Sequence, residues 1–145
     1  MQILPRLLTL SARIDSPAIA TLPVLLKILV VEDHQDTAVV MQHMLTAAGY
    51  SVSRAVSVAS AIEAVSRDKF DVIIIDIGLP DGDGISLLQA VRKLSDASAI
   101  ALTGYGMRED IERCYAGGFS KHLTKPVTLD TLVETIASVY HSNKK

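Results

Sequence analysis

Residues 71–84 read DVIIIDIGLPDGDG. The β-branched run at 72–75 is apolar throughout, which is typical of a strand that is covered on both faces in a parallel sheet. Asp76 directly follows this run, and Pro80 with the following Asp-Gly-Asp-Gly predicts a turn into a helix. We therefore expect a buried strand that delivers a carboxylate to one edge of a sheet.

Outward from this strand, short β-branched runs alternate with stretches of helical periodicity. Gly49 and the Gly117–Gly118 pair are candidate helix ends, Thr128 is a candidate N-cap, and Ser60 with Glu63 is a candidate capping box. Five strand–helix repeats predict an α/β fold, namely a flavodoxin-like (βα)5 doubly wound five-stranded parallel sheet in a single domain. The predicted strands are 27–31, 50–55, 71–75, 99–103 and 121–123, and the predicted helices are 35–48, 58–67, 85–94, 109–116 and 129–140.

The composition excludes several classes of protein. The chain has 145 residues, 49% of them hydrophobic and 21% charged, and its net charge is −2. This charge gives no electrostatic basis for binding nucleic acid directly, and no apolar stretch is long enough for membrane insertion. Cys114 cannot form an internal disulfide, so we expect a cytoplasmic protein. We expect a dispensable arm or linker at 1–26, one domain at 27–141 and a short tail at 142–145.

Polar side chains follow four of the predicted strands. Because the carboxyl ends of parallel strands meet at one sheet edge, we expect these side chains to converge there. Clustered carboxylates need a cation, and oxygen ligands suit Mg²⁺. With a lysine and a hydroxyl on the other side, such a pocket is suited to receive a phosphoryl group. The residues are Glu32, Asp33, His34, Asp76, Thr103 and Lys125.

His34 admits a second interpretation, because an imidazole beside carboxylates is also a transition-metal donor. One histidine without a second at ligand spacing is weak evidence for such a site. The sequence favours a solvated residue at the start of a helix.

The chain from about Lys27 to Tyr140 resembles the receiver domain of two-component response regulators. The matching segments are ILVVEDH at 28–34, DVIIIDIGLPDGDG at 71–84, ALTGYG at 101–106 and KHLTKPV at 121–127. The TGYG motif is similar to the motif at this position in receiver domains of hybrid sensor histidine kinases. The resemblance implies that Asp76 accepts a phosphoryl group from a sensor histidine kinase or a histidine phosphotransfer protein in a phosphorelay.

The resemblance also implies roles for the neighbouring residues. Mg²⁺ would be held by Asp33, Asp76 and the backbone carbonyl of Gly78, with Glu32 holding a metal-bound water. Thr103 and Lys125 would contact the phosphoryl oxygens.

Two further implications concern the surroundings of the site. Backbone N–H groups near Gly78 and Gly104 would assist in holding the phosphoryl group, and the Lys125–Pro126 bond would be cis. Thr103 and His122 would form the switch, with His122 at a position where tyrosine or phenylalanine is typical. The switch would act on a downstream protein partner at the face of helix 4, strand 5 and helix 5.

Alternative functions stay open at this stage. The resemblance to a receiver domain implies a phosphoacceptor that assists its own phosphorylation and dephosphorylation and that is not a turnover enzyme. The first alternative is a receiver-like interaction module that is never phosphorylated. A haloacid-dehalogenase-like aspartyl-phosphate phosphatase is less favoured, because Asp76-Ile77-Gly78 lacks the second acid of its DxD motif. A nucleotide-binding domain is disfavoured because Glu32 and Asp33 stand where a phosphate loop would be. The sequence leaves open whether the chain is a stand-alone regulator or part of a hybrid kinase.

Overall fold

The computed structural model describes residues 25–104 and 108–143, and within them strand and helix alternate five times. The arm at 1–24 and the tail residues 144–145 lie outside the described residues. The elements are β1 (Lys27–Val31), α1 (Gln35–Ala47), β2 (Ser51–Ala55), α2 (Val58–Arg67), β3 (Val72–Asp76), α3 (Gly84–Val91), β4 (Ser98–Thr103), α4 (Arg108–Ala116), β5 (Lys121–Thr124) and α5 (Leu129–Asn143).

The five strands form one parallel sheet in the order β2-β1-β3-β4-β5. The chain reverses its direction of travel across the sheet between β1 and β3, which is the topological switch point of a doubly wound fold. Ile74 on β3 lies beside Val30 on β1 and Ile100 on β4, and all three are fully buried. The predicted fold class is confirmed.

Two hydrophobic cores cover the two faces of the sheet. Alternate β3 residues point to opposite faces, so Ile73 and Ile75 join one core while Val72 and Ile74 join the other. The first core is closed by α2, α3 and α4, and the second by α1 and α5. Burial on both faces explains why the β-branched runs of β1 and β3 carry almost no polar residue.

Several element ends confirm the predicted signals. Gly49 and Gly118 follow α1 and α4 with φ of +107° and +110°, a backbone conformation that glycine adopts at little cost. The Thr128 hydroxyl accepts a hydrogen bond from Thr131 N at 3.2 Å, as expected of an N-cap. The Lys125–Pro126 bond is cis.

The predicted capping box of α2 is wrong. Ser57 is the N-cap, and its Oγ accepts from Ser60 N at 3.1 Å while Ser60 Oγ accepts from Ser57 N at 3.0 Å. Ser60 therefore lies inside the first turn, where its short hydroxyl takes the part that a glutamate usually plays. Glu63 is one turn further along and pairs with Arg67 at 4.0 Å.

The ends of some elements also differ from the prediction. The third helix ends at Val91 and not at residue 94, whereas α5 continues to Asn143. At the start of the domain, the Leu26 carbonyl accepts from Ser51 N at 2.9 Å, and the Leu26 side chain packs on the second core. In the described part of the chain, no helix is long and apolar enough to cross a membrane.

Candidate functional site

The carboxyl ends of β1, β3, β4 and β5 bring the predicted site residues to one edge of the sheet. Glu32 and Asp33 directly follow β1, Asp76 ends β3, and Thr103 ends β4. Lys125 is the first residue after β5. Since β1 and β3 are neighbours at the switch point, their carboxylates face one another there.

Asp76 is buried and contacts both a cation and a backbone amide. One carboxylate oxygen, Oδ2, lies 3.2 Å from Lys125 Nζ, and the other, Oδ1, accepts from Gly78 N at 3.2 Å. Burial raises the pKa of Asp76, and the neighbouring Glu32 carboxylate raises it further, against the opposing charge of Lys125. Asp76 is therefore the carboxylate in the pocket whose charge is costly to maintain.

Glu32 has no exposed surface and is held by hydrogen bonds on both oxygens. Lys125 Nζ donates to Oε1 at 2.8 Å, and His34 N donates to Oε2 at 3.1 Å. Burial raises the pKa of Glu32, but these donors outweigh burial and the pKa of this carboxyl is lowered. Burial likewise opposes the charge of Lys125, yet the two carboxylates raise the pKa of Lys125 overall. Both ends of the Glu32–Lys125 pair are thus charged at neutral pH.

Asp33 supplies the oxygen that the site leaves unsatisfied. Its Oδ1 is buried and has no hydrogen-bond partner among the described residues. One ligand atom from each of Glu32, Asp33, His34 and Asp76 lies within 4.8 Å of the others. A buried anionic oxygen without a donor is costly, and hard oxygen ligands in such a cluster fit a divalent cation such as Mg²⁺.

The loop after β3 is held close to Asp76 by its own backbone and by α2. Gly78–Leu79 pairs antiparallel with Gly82–Asp83 in a two-residue hairpin. A Cβ on Gly84 would lie 2.9 Å from the Asp76 carbonyl oxygen, so only glycine allows this close approach.

Asp81 ties the same loop to α2. Its carboxylate accepts from Val58 N at 2.8 Å and from Ala59 N at 3.2 Å, across more than twenty residues of sequence. These bonds from the helix N-terminus lower the pKa of Asp81. The sequence indicated only a turn here, and no local signal pointed to this contact.

Thr103 at the end of β4 is in direct contact with His122 on the adjacent strand β5. The Thr103 Oγ1 and His122 Nε2 atoms are 2.8 Å apart, and the Thr103 residue is 6% exposed. Burial lowers the pKa of His122, although the Asp110 carboxylate opposes this effect. The two predicted switch residues are therefore joined by a hydrogen bond, with Thr103 oriented toward His122.

Gly104, the other glycine near which a backbone N–H group was predicted to hold the phosphoryl group, follows Thr103 and is exposed, with no atom within 4 Å of the position that a Cβ would take. The rest of the 101–106 motif, residues 105 and 106, lies outside the described residues.

His34 differs partly from its predicted surroundings. Its side chain is 72% exposed, as expected of a residue at the start of a helix, and it makes no side-chain cap to α1. Its Nδ1 nevertheless lies 3.2 Å from Glu32 Oε2 and 3.5 Å from Asp33 Oδ1. The adjacency of three polar residues in Glu32-Asp33-His34 was the signal that could have predicted this contact.

Comparison with known proteins identifies the class of domain. Residues 28–137 match the response regulator receiver domain family, and the chain belongs to this family. The predicted resemblance is thereby confirmed, and the chain is a receiver domain of the kind found in two-component signal transduction.

Two curated relatives are sensor kinases. The sensor histidine kinase RcsC of Salmonella typhimurium is 32% identical over 111 residues, which cover 76% of this chain and 12% of RcsC. The sensor protein EvgS of Escherichia coli is 28% identical over 141 residues, which cover 97% of this chain and 12% of EvgS. The chain thus spans about 12% of the length of these relatives.

Solved structures agree with the fold. A CheY-like receiver domain protein from Methanospirillum hungatei has a TM-score of 0.78 at 27% identity and covers 83% of this chain and 97% of its own. The chemotaxis protein CheY4 of Vibrio cholerae has a TM-score of 0.74 at 30% identity, with 79% and 98% covered.

Proposed function

We propose that this receiver domain takes a phosphoryl group onto Asp76 from a phosphohistidine of a sensor histidine kinase or a histidine phosphotransfer protein. The observation that carries the proposal is the position of Asp76, with Lys125 Nζ at 3.2 Å on one side and, in the same acidic cluster, the Asp33 Oδ1 atom, which has no hydrogen-bond partner among the described residues. A nucleophilic carboxylate, a fixed cation and an unsatisfied anionic oxygen are the parts that phosphoryl transfer to an aspartate requires.

In the proposed transfer, an Asp76 carboxylate oxygen forms the new O–P bond while the N–P bond of the phosphohistidine breaks. The imidazole leaves with the electron pair of that bond and is protonated from solvent. Lys125 Nζ and the Thr103 hydroxyl meet the phosphoryl oxygens. The backbone N–H groups of Gly78 and Gly104 add further donors.

Asp33, Asp76 and the backbone carbonyl of Gly78 would hold Mg²⁺, and Glu32 would hold one of its water ligands. The bound ion would supply positive charge beside the phosphoryl oxygens. The fit rests on Asp33 Oδ1, which has no hydrogen-bond partner among the described residues, and on the absence of sulfur among the donors of the described cluster. Since Lys125 and His34 already occupy both oxygens of Glu32, an outer role for this residue agrees with its contacts.

Phosphorylation would then act on a protein partner through Thr103 and His122. Turning the Thr103 hydroxyl toward a phosphoryl oxygen breaks or weakens its 2.8 Å contact with His122 on β5. The affected surface would be that of α4, β5 and α5, where Tyr115 is 47% exposed.

The single buried thiol of Cys114 agrees with a cytoplasmic location for these events.

Two alternatives are weaker on the same contacts. An interaction module that is never phosphorylated would need neither the buried Asp33 oxygen without a hydrogen bond nor the buried Asp76 carboxyl, whose pKa is raised. A turnover phosphatase would need a second acid to protonate a leaving group, and the residues after Asp76 are Ile77 and Gly78. A phosphoacceptor that does not turn over a substrate fits best.

The proposal is tested by incubating the full chain with a small acyl phosphate and measuring its intact mass. We expect the mass of one phosphoryl group to appear in the presence of Mg²⁺ and to be strongly reduced when a chelator is added. Asp33→Asn should lower the rate of incorporation, whereas Asp130→Asn on the exposed start of α5 is the matched control. Equal incorporation with and without chelator would contradict the metal assignment, and no incorporation would contradict the proposal.

A further inference from the structure

His122 lies between the Thr103 hydroxyl on β4 and the charged helix α4. The next residue, Leu123, packs into the core under α1 and α5, so the His122 side chain points to the opposite face of the sheet, which α4 covers. His122 Nε2 is 2.8 Å from Thr103 Oγ1, and the histidine is half-buried. Imidazole gains or loses a proton near neutral pH, so this contact exists in two protonation states.

The direction of the Thr103–His122 hydrogen bond depends on the protonation of the ring. In a neutral ring whose proton is on Nδ1, Nε2 is an acceptor and the Thr103 hydroxyl donates to it. In the charged ring both nitrogens carry protons, so Nε2 can only donate. A hydroxyl has one proton, and a proton donated to His122 is not donated to a phosphoryl oxygen. A charged ring does not compete for that proton.

The charged groups that face His122 come from α4. On β4, Ala101 pairs in register with His122, and residues 101–103 carry no charge. Burial lowers the pKa of His122, and the Asp110 carboxylate, which pairs with Arg113 at 3.6 Å, opposes this effect without cancelling it. The ring is therefore neutral at neutral pH before phosphorylation. The other charged residues of α4 and of the stretch around β5 are Arg108, Glu109, Glu112, Lys121 and Lys125.

We propose that phosphorylation of Asp76 is coupled to the uptake of a proton from solvent by His122, through the Thr103 hydroxyl for which the phosphoryl group and the ring compete. The inference rests on the proposed function, because it needs a phosphoryl group on Asp76. Coupling between two sites is reciprocal, so phosphorylation raises the pKa of His122 and acid favours the phosphorylated arrangement of Thr103.

The sign of the pH dependence follows from this rise in the pKa of His122. The preference of the protonated protein for the phosphorylated arrangement is fully present below the pKa of His122 in the unphosphorylated protein. It is lost as pH rises through the higher pKa of the phosphorylated protein. The switch is therefore stronger in mild acid than in mild base.

The test is an NMR titration of the histidine rings in the full chain, with and without an excess of an acyl phosphate and Mg²⁺. Intact mass of the same samples measures phosphoryl incorporation. We expect the pKa of His122 to rise by about 0.5–1 pH unit more in the wild type than in Thr103→Val, which keeps the shape of the side chain and removes the hydroxyl. The comparison subtracts the effect of the phosphoryl charge alone. His43 and His141, which are exposed on α1 and α5, should titrate identically with and without the donor.

A second readout follows the surface next to His122. The amide exchange rates of 108–116 are measured with and without the donor at each pH between about 5.5 and 7.5, and their ratio is compared. We expect this ratio to be larger in acid for the wild type and independent of pH for His122→Phe, which has no titrating ring. His43→Ala is the matched control and should keep the pH dependence of the wild type.

Equal rises in the pKa of His122 in the wild type and Thr103→Val would overturn the inference, because the phosphoryl charge alone would then account for them. A change of the His122 tautomer without a change in its pKa would overturn it too, as would an unaltered pH dependence of the exchange ratio in His122→Phe. In these cases phosphoryl incorporation leaves the proposed function standing. Absence of incorporation would contradict the proposed function itself and this inference with it.

Discussion

Lys125 is the residue that balances the charges of the pocket. Its ammonium donates to Glu32 at 2.8 Å and to Asp76 at 3.2 Å, so one cation stands against two carboxylates. Burial and the neighbouring Glu32 carboxylate raise the pKa of Asp76, whereas the hydrogen bonds from Lys125 and His34 outweigh burial and lower the pKa of Glu32. A bound divalent cation would offset this excess of negative charge, and Asp33 Oδ1, which has no hydrogen-bond partner among the described residues, is available to bind it.

Lys125→Met should destabilise the fold by leaving Glu32 buried without its cation. We expect a loss of about 1–3 kcal/mol in the free energy of unfolding, measured by urea denaturation in the absence of metal. Glu32→Gln in the same background should recover part of the loss, since a neutral amide is cheaper to bury than an unpaired charge. Lys121→Met, on an exposed residue of β5, is the control. A Lys125→Met loss no larger than that of the control would show that the pair contributes nothing to stability.

The residue scale also shows what the sequence could and could not predict. The strand-end position of Asp76 follows from the apolar run before it, and strand order brings Asp33 beside it. The pairing of Lys125 with Glu32 joins residues 93 positions apart, and no sequence pattern predicts which carboxylate a lysine side chain will contact. Likewise, Ser57 and not Ser60 caps α2, and Asp81 from a distant loop accepts hydrogen bonds from the next two amides of this helix, a contact that no local pattern indicates.

Among the elements, α3 begins at a well-defined cap. The Asp83 carboxylate accepts from Ser86 N at 2.9 Å, and this bond lowers the pKa of Asp83. We expect Asp83→Ala to cost about 1 kcal/mol at neutral pH. Because the folded pKa is depressed, this contribution is present above the unfolded pKa of about 3.9 and is lost as pH falls through the lower folded pKa.

The measurement is the difference in unfolding free energy between wild type and Asp83→Ala as a function of pH. The difference should be constant near neutrality and shrink below about pH 4. A difference that stays the same into strong acid would mean that the carboxylate charge plays no part in the cap.

Of the five helices described, α4 buries the fewest residues in the core. Cys114 is its one buried residue in the described structure, whereas α3 buries four. Elements with few buried contacts open and shift at low cost. A change at Thr103 that reaches His122 on β5 therefore has a neighbouring helix that can respond.

Thr103→Ala should uncouple this response from phosphorylation. The variant keeps Asp76 and Lys125, so we expect it to accept a phosphoryl group, although more slowly. The variant lacks the hydroxyl that would leave His122 and bond to a phosphoryl oxygen. The rates of amide hydrogen exchange at 108–116 and 121–124 should therefore no longer depend on the phosphoryl donor. Equal donor-dependent changes in wild type and Thr103→Ala would contradict the switch.

The clustered carboxylates lie at one edge of a buried parallel sheet. The strands β1, β3 and β4 are almost wholly buried between two hydrophobic cores, and the acidic cluster lies at their carboxyl ends. Length, composition and periodicity were sufficient to predict this architecture. The ends of α3 and α5 were not predictable in the same way, because they depend on where packing against the sheet stops.

Mg²⁺ should stabilise the whole domain by relieving the carboxylate cluster. At about 100 times its dissociation constant, a ligand that binds only the folded state adds about 2.7 kcal/mol. We expect the melting temperature of the wild type to rise with Mg²⁺ concentration and that of Asp33→Ala to respond little. The same rise in both proteins would mean that the ion binds elsewhere.

The location of the phosphoryl group tests the account most directly. After reaction with an acyl phosphate and Mg²⁺, treatment with borohydride converts a phosphorylated aspartate into homoserine, which peptide mass spectrometry then locates. The account predicts homoserine at position 76 in the wild type and no conversion at any aspartate in Asp76→Asn. Conversion at another aspartate in the wild type, or undiminished phosphoryl incorporation in Asp76→Asn, would contradict the assignment of Asp76 as the phosphoacceptor.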